Sequence, residues 1–278
     1  MLRALVFEVS VVVAALCAVG AVTIVGRTRL AALRMELQPR LRESAPYLAV
    51  LIVVLAINSA VRDYAQEISW LIGWNITGAI EAVEGGFVAA IQSVQTELLT
   101  AYFSYVYVFG YVFLLIFPLL AYAALDDRLP FKRLVVAYSL NYLLGLLLYI
   151  VFVAYGPRNV GVAENLLYIT NPEYQFLTSA VNTNTNVFPS LHTSLSATVA
   201  VFAYRTRESY AIWFGLATGL AASIILSTMY LGIHWGIDVL VGLGLAAVCV
   251  GLAHRWVDDR SSQSRASSES KSSTGITE

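Results

Sequence analysis

Seven apolar runs, at 5–25, 46–61, 101–125, 134–155, 191–204, 210–231 and 235–253, occupy half of the chain's 278 residues. In hydrocarbon each backbone N–H and C=O must be paired inside the spanning structure, so only helices and closed barrels survive there. A helix needs about 20 residues to cross about 30 Å of hydrocarbon. Five of the runs reach that length, and 46–61 and 191–204 fall short of it. Charged residues make up only 13% of the chain, against about 25% in soluble domains. The expected fold is therefore all-α, a polytopic membrane bundle of about seven transmembrane helices. The net charge of −1 provides no field that would draw nucleic acid. Cys17 and Cys249 fall inside apolar runs and read as packing residues, without a disulfide framework or a metal site.

The first run is longer than the apolar core of a signal peptide, and its basic residues follow it. It reads as a retained helix with its N-terminus outside. With seven crossings, 14 of the 17 basic residues then fall in cytoplasmic loops or the C-terminal tail, leaving Arg3, Arg62 and Arg158 outside. This is the bias that sets membrane topology. The C-terminus is expected in the cytoplasm of a multi-pass cell-membrane protein.

Between the second and third runs, Ile72, Ile76, Ile80, Val83, Phe87, Ile91, Val94 and Leu98 recur at helical steps. Asn75, Glu81, Glu84, Gln92 and Glu97 lie off this stripe, and Gly85 and Gly86 are placed to bend it. An amphipathic helix on the outer leaflet, or a lid, is expected here. From Ser261 the chain is Ser-rich, charged and nearly devoid of apolar residues, so it is expected to stay unfolded. The expected organisation is a first helix and basic loop (1–45), a second helix with the amphipathic segment (46–100), a helix bundle bearing the site (101–254) and a cytoplasmic tail (255–278).

Two of the three histidines, His192 and His234, lie at the outer ends of apolar runs. Phe188-Pro189-Ser190-Leu191-His192 opens the fifth run. Proline suits a first helical turn, and the free N–H groups of a helix start bind anions. Ser190 can add a donor beside them. Tyr230-Leu231-Gly232-Ile233-His234-Trp235-Gly236-Ile237-Asp238 opens the seventh run. The spacing of four between His234 and Asp238 puts both on one helix face. Asp238 can accept the Nδ1 proton, which fixes the tautomer and leaves Nε2 as nucleophile or base. Arg158 follows the fourth run in Tyr155-Gly156-Pro157-Arg158-Asn159 and offers a planar fork for phosphate oxygens. The third histidine, His254, reads as an interfacial residue at the far end of the last run.

Taken together over roughly 101–253, these elements resemble the type 2 phosphatidic acid phosphatase superfamily. That family combines an Arg-containing motif, a Pro-Ser-x-His motif and a Ser-x6-His-x3-Asp motif, the last matched by Ser227, His234 and Asp238. The resemblance implies a metal-free site needing no cofactor, with membrane lipids as substrates. His234 would attack phosphorus, Asp238 would orient it and His192 would protonate the leaving oxygen. Arg158, Ser190 and Ser227 would bind the phosphate. Two cationic positions of the family pattern hold Val151 and Thr228, Asn159 follows the arginine, and Leu191 replaces a glycine. These departures resemble the branch of inositol phosphotransferases, such as the fungal inositol phosphorylceramide synthases. The resemblance thus implies a lipid phosphotransferase or phosphatase working through a phospho-histidine.

Three other readings compete. A plain lipid phosphate or polyprenyl diphosphate phosphatase needs the same residues. His192, His234 and Asp238 could form a two-His-one-carboxylate metal site. A transporter or receptor without chemistry would need neither, but the two lysines, Lys132 and Lys271, lie outside the seventh run and exclude a retinal Schiff base there. No paired broken helices of transporter type are evident.

Overall fold

The computed structural model describes residues 2–179 and 187–274, without the side chains of 62, 63, 65, 66 and 260–274. Helix α1 (Leu2–Gly20) continues through a π-helical turn, and α2 (Arg27–Met35) leads to the long α3 (Leu37–Ile72). Strand β1 (Trp74–Asn75) precedes two short helices, α4 (Thr77–Glu84) and α5 (Phe87–Gln92). Helices α6 (Glu97–Tyr105) and α7 (Tyr111–Ala123) form one span joined by a π-helical turn, Val106–Gly110. After α8 (Leu129–Val151) and strand β2 (Phe152–Val153) come two short helices, α9 (Leu166–Thr170) and α10 (Tyr174–Ser179). The chain ends in α11 (Leu191–Arg205), α12 (Ala211–Tyr230) and α13 (Gly236–Thr274).

Among the described residues, six helical segments are long and apolar enough to cross a membrane. The seventh run forms the apolar part of α13, and the fifth forms α11, which at 15 residues is too short to count among the six. The architecture is the expected all-α membrane bundle. The second run, short by sequence, lies inside the 36-residue α3, which carries Pro46 in its interior and extends beyond the run at both ends.

Helix α11 packs against α7, α8, α12 and α13 and so sits at the centre of the bundle. This explains its composition. Thr193, Ser194, Ser196 and Thr198 are buried beside Leu195, Val199 and Phe202, and Asn141 of α8 bonds Ser194 and Thr198. Ser194 and Thr198 thereby find partners off their own helix, while Thr193 Oγ1 and Ser196 Oγ have none among the described residues. The apolar core beside it is aromatic, with Phe113 and Phe117 of α7 against Trp213 of α12.

The two ends of the bundle differ in chemistry. At one end Arg40, nearly buried, donates to the carbonyls of Ala123 (2.7 Å) and Leu125 (2.8 Å) at the end of α7. Arg128 and Arg40 both reach Glu36, Lys132 pairs with Glu43, and Arg133 pairs with Asp258. At the other end, β1 pairs in parallel with β2 and ties the end of α3 to the end of α8. There α4 packs on α13 and α5 on α12.

The amphipathic stretch bends at Gly85 and Gly86, as its glycines predict, but it is not one continuous helix on a surface. Ile80 and Val88 are buried in a small core with Trp235, while Val83, Phe87, Val94 and Leu98 stay exposed. Two of its polar residues, expected on the solvent side, point inward. Gln92 donates to Tyr230 O and Glu164 O, both at 2.9 Å, and accepts from Glu164 N at 2.8 Å. Glu84 meets the start of α13. Burial there favours side chains that can satisfy backbone groups over apolar ones. The α13 backbone continues helically through Thr274, where an unfolded tail is expected from composition. A helix that is already nucleated gains one hydrogen bond per added residue.

Candidate active site at the ends of α11 and α13

Ser190 is the N-cap of α11, and its Oγ accepts from Thr193 N at 3.3 Å. Pro189 therefore precedes the cap and does not lie in the first turn. The capping bond leaves the Ser190 O–H free to donate. Ser190 N donates to Asp238 O at 3.1 Å, which fastens the start of α11 to that of α13. Tyr149 of α8 lies close to the Leu191 backbone.

His192, in the first turn of α11, lies between two aromatic rings. Tyr107 stacks on it at 4.5 Å between centroids, and Tyr111 lies at 4.2 Å. Tyr107 lies within the π-helical turn and Tyr111 follows it directly, with Tyr111 N donating to Val106 O. π-Turns of this kind are frequent at functional sites.

The turn before α13 is built on one carbonyl. Ile233 N and His234 N both donate to Thr228 O at 3.0 Å. Gly232 has φ of +75°, open to glycine without strain. Asp238 Oδ2 then accepts from Trp235 N at 2.9 Å and lies 3.3 Å from His234 Nδ1. Asp238 is thus the third helical residue reaching back to the N-cap N–H, half of a capping box. Its other oxygen, Oδ1, is buried with no hydrogen-bond partner among the described residues. With Nδ1 engaged, Nε2 is the nitrogen of His234 open to a ligand. The His192 and His234 rings are 6.4 Å apart, close enough for one phosphate to touch both.

Arg158 lies in a 3-10 turn, Pro157–Asn159, laid against the His234 turn. Its N–H donates to Gly232 O at 3.1 Å. A Cβ on Gly156 would lie 2.3 Å from Ile233 O, so only glycine admits this backbone contact. The guanidinium donates to Asn165 Oδ1 and the Tyr168 hydroxyl, each at 3.3 Å, and lies 4.6 Å over the Tyr168 ring. All these partners are neutral. Among the described residues no carboxylate pairs with Arg158, so its charge stays available. The backbone bond from Arg158 N to Gly232 O, two residues before His234, puts the Arg158 turn beside the His234 turn.

Five of the six residues picked from sequence thus gather at one end of the bundle. Ser227 differs: it is fully buried, and its hydroxyl donates to Ile224 O of its own helix at 2.7 Å. Val151, at a position where the family pattern has lysine, is 45% exposed on the bundle surface. Thr228 contributes its carbonyl to the His234 turn, while its hydroxyl donates to Ile225 O. Tyr107, Tyr111, Tyr149 and Tyr168 adjoin the site without a sequence signal, because tyrosines in or near apolar runs resemble core residues; Glu84, which the sequence places only off the amphipathic stripe, adjoins it too. Among the described residues, no group of three His, Cys, Asp or Glu side chains is arranged to hold a metal ion.

The chain is similar to an uncharacterized protein of Methanocaldococcus jannaschii, with 26% identity over 65% of this chain and 71% of that one. No solved structure matches it significantly. The family model described as the PAP2 superfamily matches residues 81–252, a stretch that contains both histidine motifs, the Arg158 turn, the second half of α4 and all of α5, and the chain belongs to that superfamily.

Proposed function

We propose that the protein transfers phosphate-containing lipid headgroups through a phospho-histidine, in the manner of the inositol phosphotransferases, with its site on the outer side of the membrane. Superfamily membership supports phosphatase-type chemistry on lipid phosphates. The observation that carries the mechanism is the 6.4 Å approach of His192 to a His234 ring whose Nδ1 is engaged by Asp238.

In the first step His234 Nε2 attacks phosphorus. The N–P bond forms, the bond to the leaving lipid oxygen breaks, and His192 gives that oxygen its proton. Asp238 stabilises the charge on the His234 ring. In the second step water or a lipid alcohol gives its proton to His192, attacks phosphorus and releases His234. Arg158, the Ser190 hydroxyl and the free amides of α11 hold the equatorial oxygens.

The single guanidinium favours diesters over the more highly charged monoesters, because no second cation stands at Val151 or Thr228. The basic end of the bundle, with Arg40, Arg128 and Arg133, faces the cytoplasm by the positive-inside rule. The alternative is plain hydrolysis of lipid phosphates or polyprenyl diphosphates with the same residues. Phosphorus NMR of the purified protein with phosphatidic acid, a polyprenyl diphosphate and phosphatidylinositol separates the two. A new phosphodiester supports transfer, inorganic phosphate supports hydrolysis, and no turnover of any of them sinks both.

A further inference from the structure

The helix that carries Asp238 begins with a residue that cannot cap it. Trp235 occupies the N-cap position, as Val239 N donates to its carbonyl. An N-cap normally supplies a side-chain oxygen to the first free N–H groups, and an indole has none. Its own Nε1 donates to Tyr155 O at 2.8 Å. The missing oxygens come from another element. Glu84, the last residue of α4, accepts from Gly236 N at 2.7 Å through Oε1 and from Ile237 N at 3.0 Å through Oε2. Asp238 supplies the other half of the capping box from inside α13.

We propose that Glu84 is a positioning residue for the reaction, an N-cap lent by α4 to the helix that orients His234. This rests on the phospho-histidine reading above. Among the described residues, the hydrogen bonds of the Glu84 side chain go to backbone N–H groups two and three residues beyond His234. They fix where α13 starts, and so where Asp238 meets the imidazole. An acidic group at a helix N-terminus is also favoured by the helix dipole. The start of α13 is therefore filled, and the start of α11, with Ser190 and Arg158 beside it, is the helix end left for the phosphate. Gln92 braces the same arrangement through Tyr230 O and Glu164 O, between the end of α12 and the Arg158 loop.

The test compares turnover of the best lipid substrate by wild type, E84A, E84Q and E81A. Glu81 is an exposed acid on the same helix, so E81A controls for general damage to α4. Misplacing a reacting group by about 1 Å costs up to roughly 100-fold. E84A is expected to lose about that much in kcat with KM little changed, because Glu84 does not touch substrate. E84Q keeps one acceptor oxygen at the same place and should recover part of the loss, while E81A should match wild type. Wild-type kcat in E84A, a loss confined to KM, or an equal loss in E81A would overturn the proposal. If wild type itself turns over no lipid phosphate, the functional reading fails instead.

Discussion

Leu191 and Gly145 fit into one another: a Cβ on Gly145 of α8 would lie 2.6 Å from Leu191 Cδ2 and 3.2 Å from its Cγ. The residue that stands where the family pattern has glycine is thus accommodated by a glycine on the facing helix. Because Leu191 adjoins His192, the fit also fixes how deeply the start of α11 settles against α8. Gly145→Ala should overpack this contact, at about 1–3 kcal/mol, and lower turnover by shifting His192. Leu191→Ala should relieve it. Thermal stability and kcat of both single variants and the double variant give the coupling, and strictly additive effects would mean that the two sites do not communicate.

The nucleophile assignment predicts an acid-labile, base-stable adduct when a radiolabelled substrate is trapped. His234→Ala should abolish both adduct and turnover. Asp238→Asn keeps the shape but loses the charge beside Nδ1, and by analogy with triad aspartates should cost on the order of 10³- to 10⁴-fold in rate. His192→Ala should slow adduct formation without removing the site of attachment. Turnover that survives His234→Ala would move the nucleophile elsewhere.

Arg158 is held by Asn165 and Tyr168, neither of which neutralises it. Arg158→Ala should cost roughly 10²- to 10³-fold, the usual effect of losing one preorganised donor. Arg158→Lys should recover little, since an ammonium cannot reproduce the planar fork. Rates for diester and monoester lipids are the readout. A strong wild-type preference for monoesters would favour plain hydrolysis.

At the basic end, hydrogen bonds from Arg128 and then Arg40 hold the Glu36 carboxyl below its usual range. A carboxyl held low in the folded state contributes stability above its unfolded pKa of about 4.3 and loses it as pH falls through the lower folded value. Wild type should therefore lose more thermal stability than Glu36→Gln on acidification below about pH 4. Parallel acid profiles for the two proteins would show that this cluster contributes nothing.

The bundle and the site were legible in the sequence to different depths. Apolar runs in the sequence mark each of the six helices that are long and apolar enough to cross a membrane among the described residues, because lipid solvation acts on each helix separately. They could not place α11, whose run is short and whose hydroxyls read as surface residues until its neighbours enclose them. His192, His234, Asp238, Ser190 and Arg158 were found because their chemistry and spacing are local. Glu84 and Gln92 were assigned to a solvent face, since their partners are backbone groups on α12, α13 and the Glu164 loop, which no periodicity reports. Ser227 enters only through the resemblance to the family's Ser-x6-His-x3-Asp motif, and its hydroxyl turns to its own helix. Tyr107 and Tyr111 gained their place from the π-turn, a local widening that the apolar pattern does not encode.

The length of α11 sets where the chemistry takes place. Its 15 residues at 1.5 Å each span roughly 22 Å, against about 30 Å of hydrocarbon. On the proposed reading, with Arg205 at one interface, the His192 end would fall several ångströms short of the other. A phosphate bound there would sit beneath the headgroup layer. A lipid can reach it by sinking slightly while its acyl chains stay in the leaflet, whereas a water-soluble phosphate ester would have to leave bulk water to do so. Depth alone would then discriminate against soluble metabolites, whatever their headgroups.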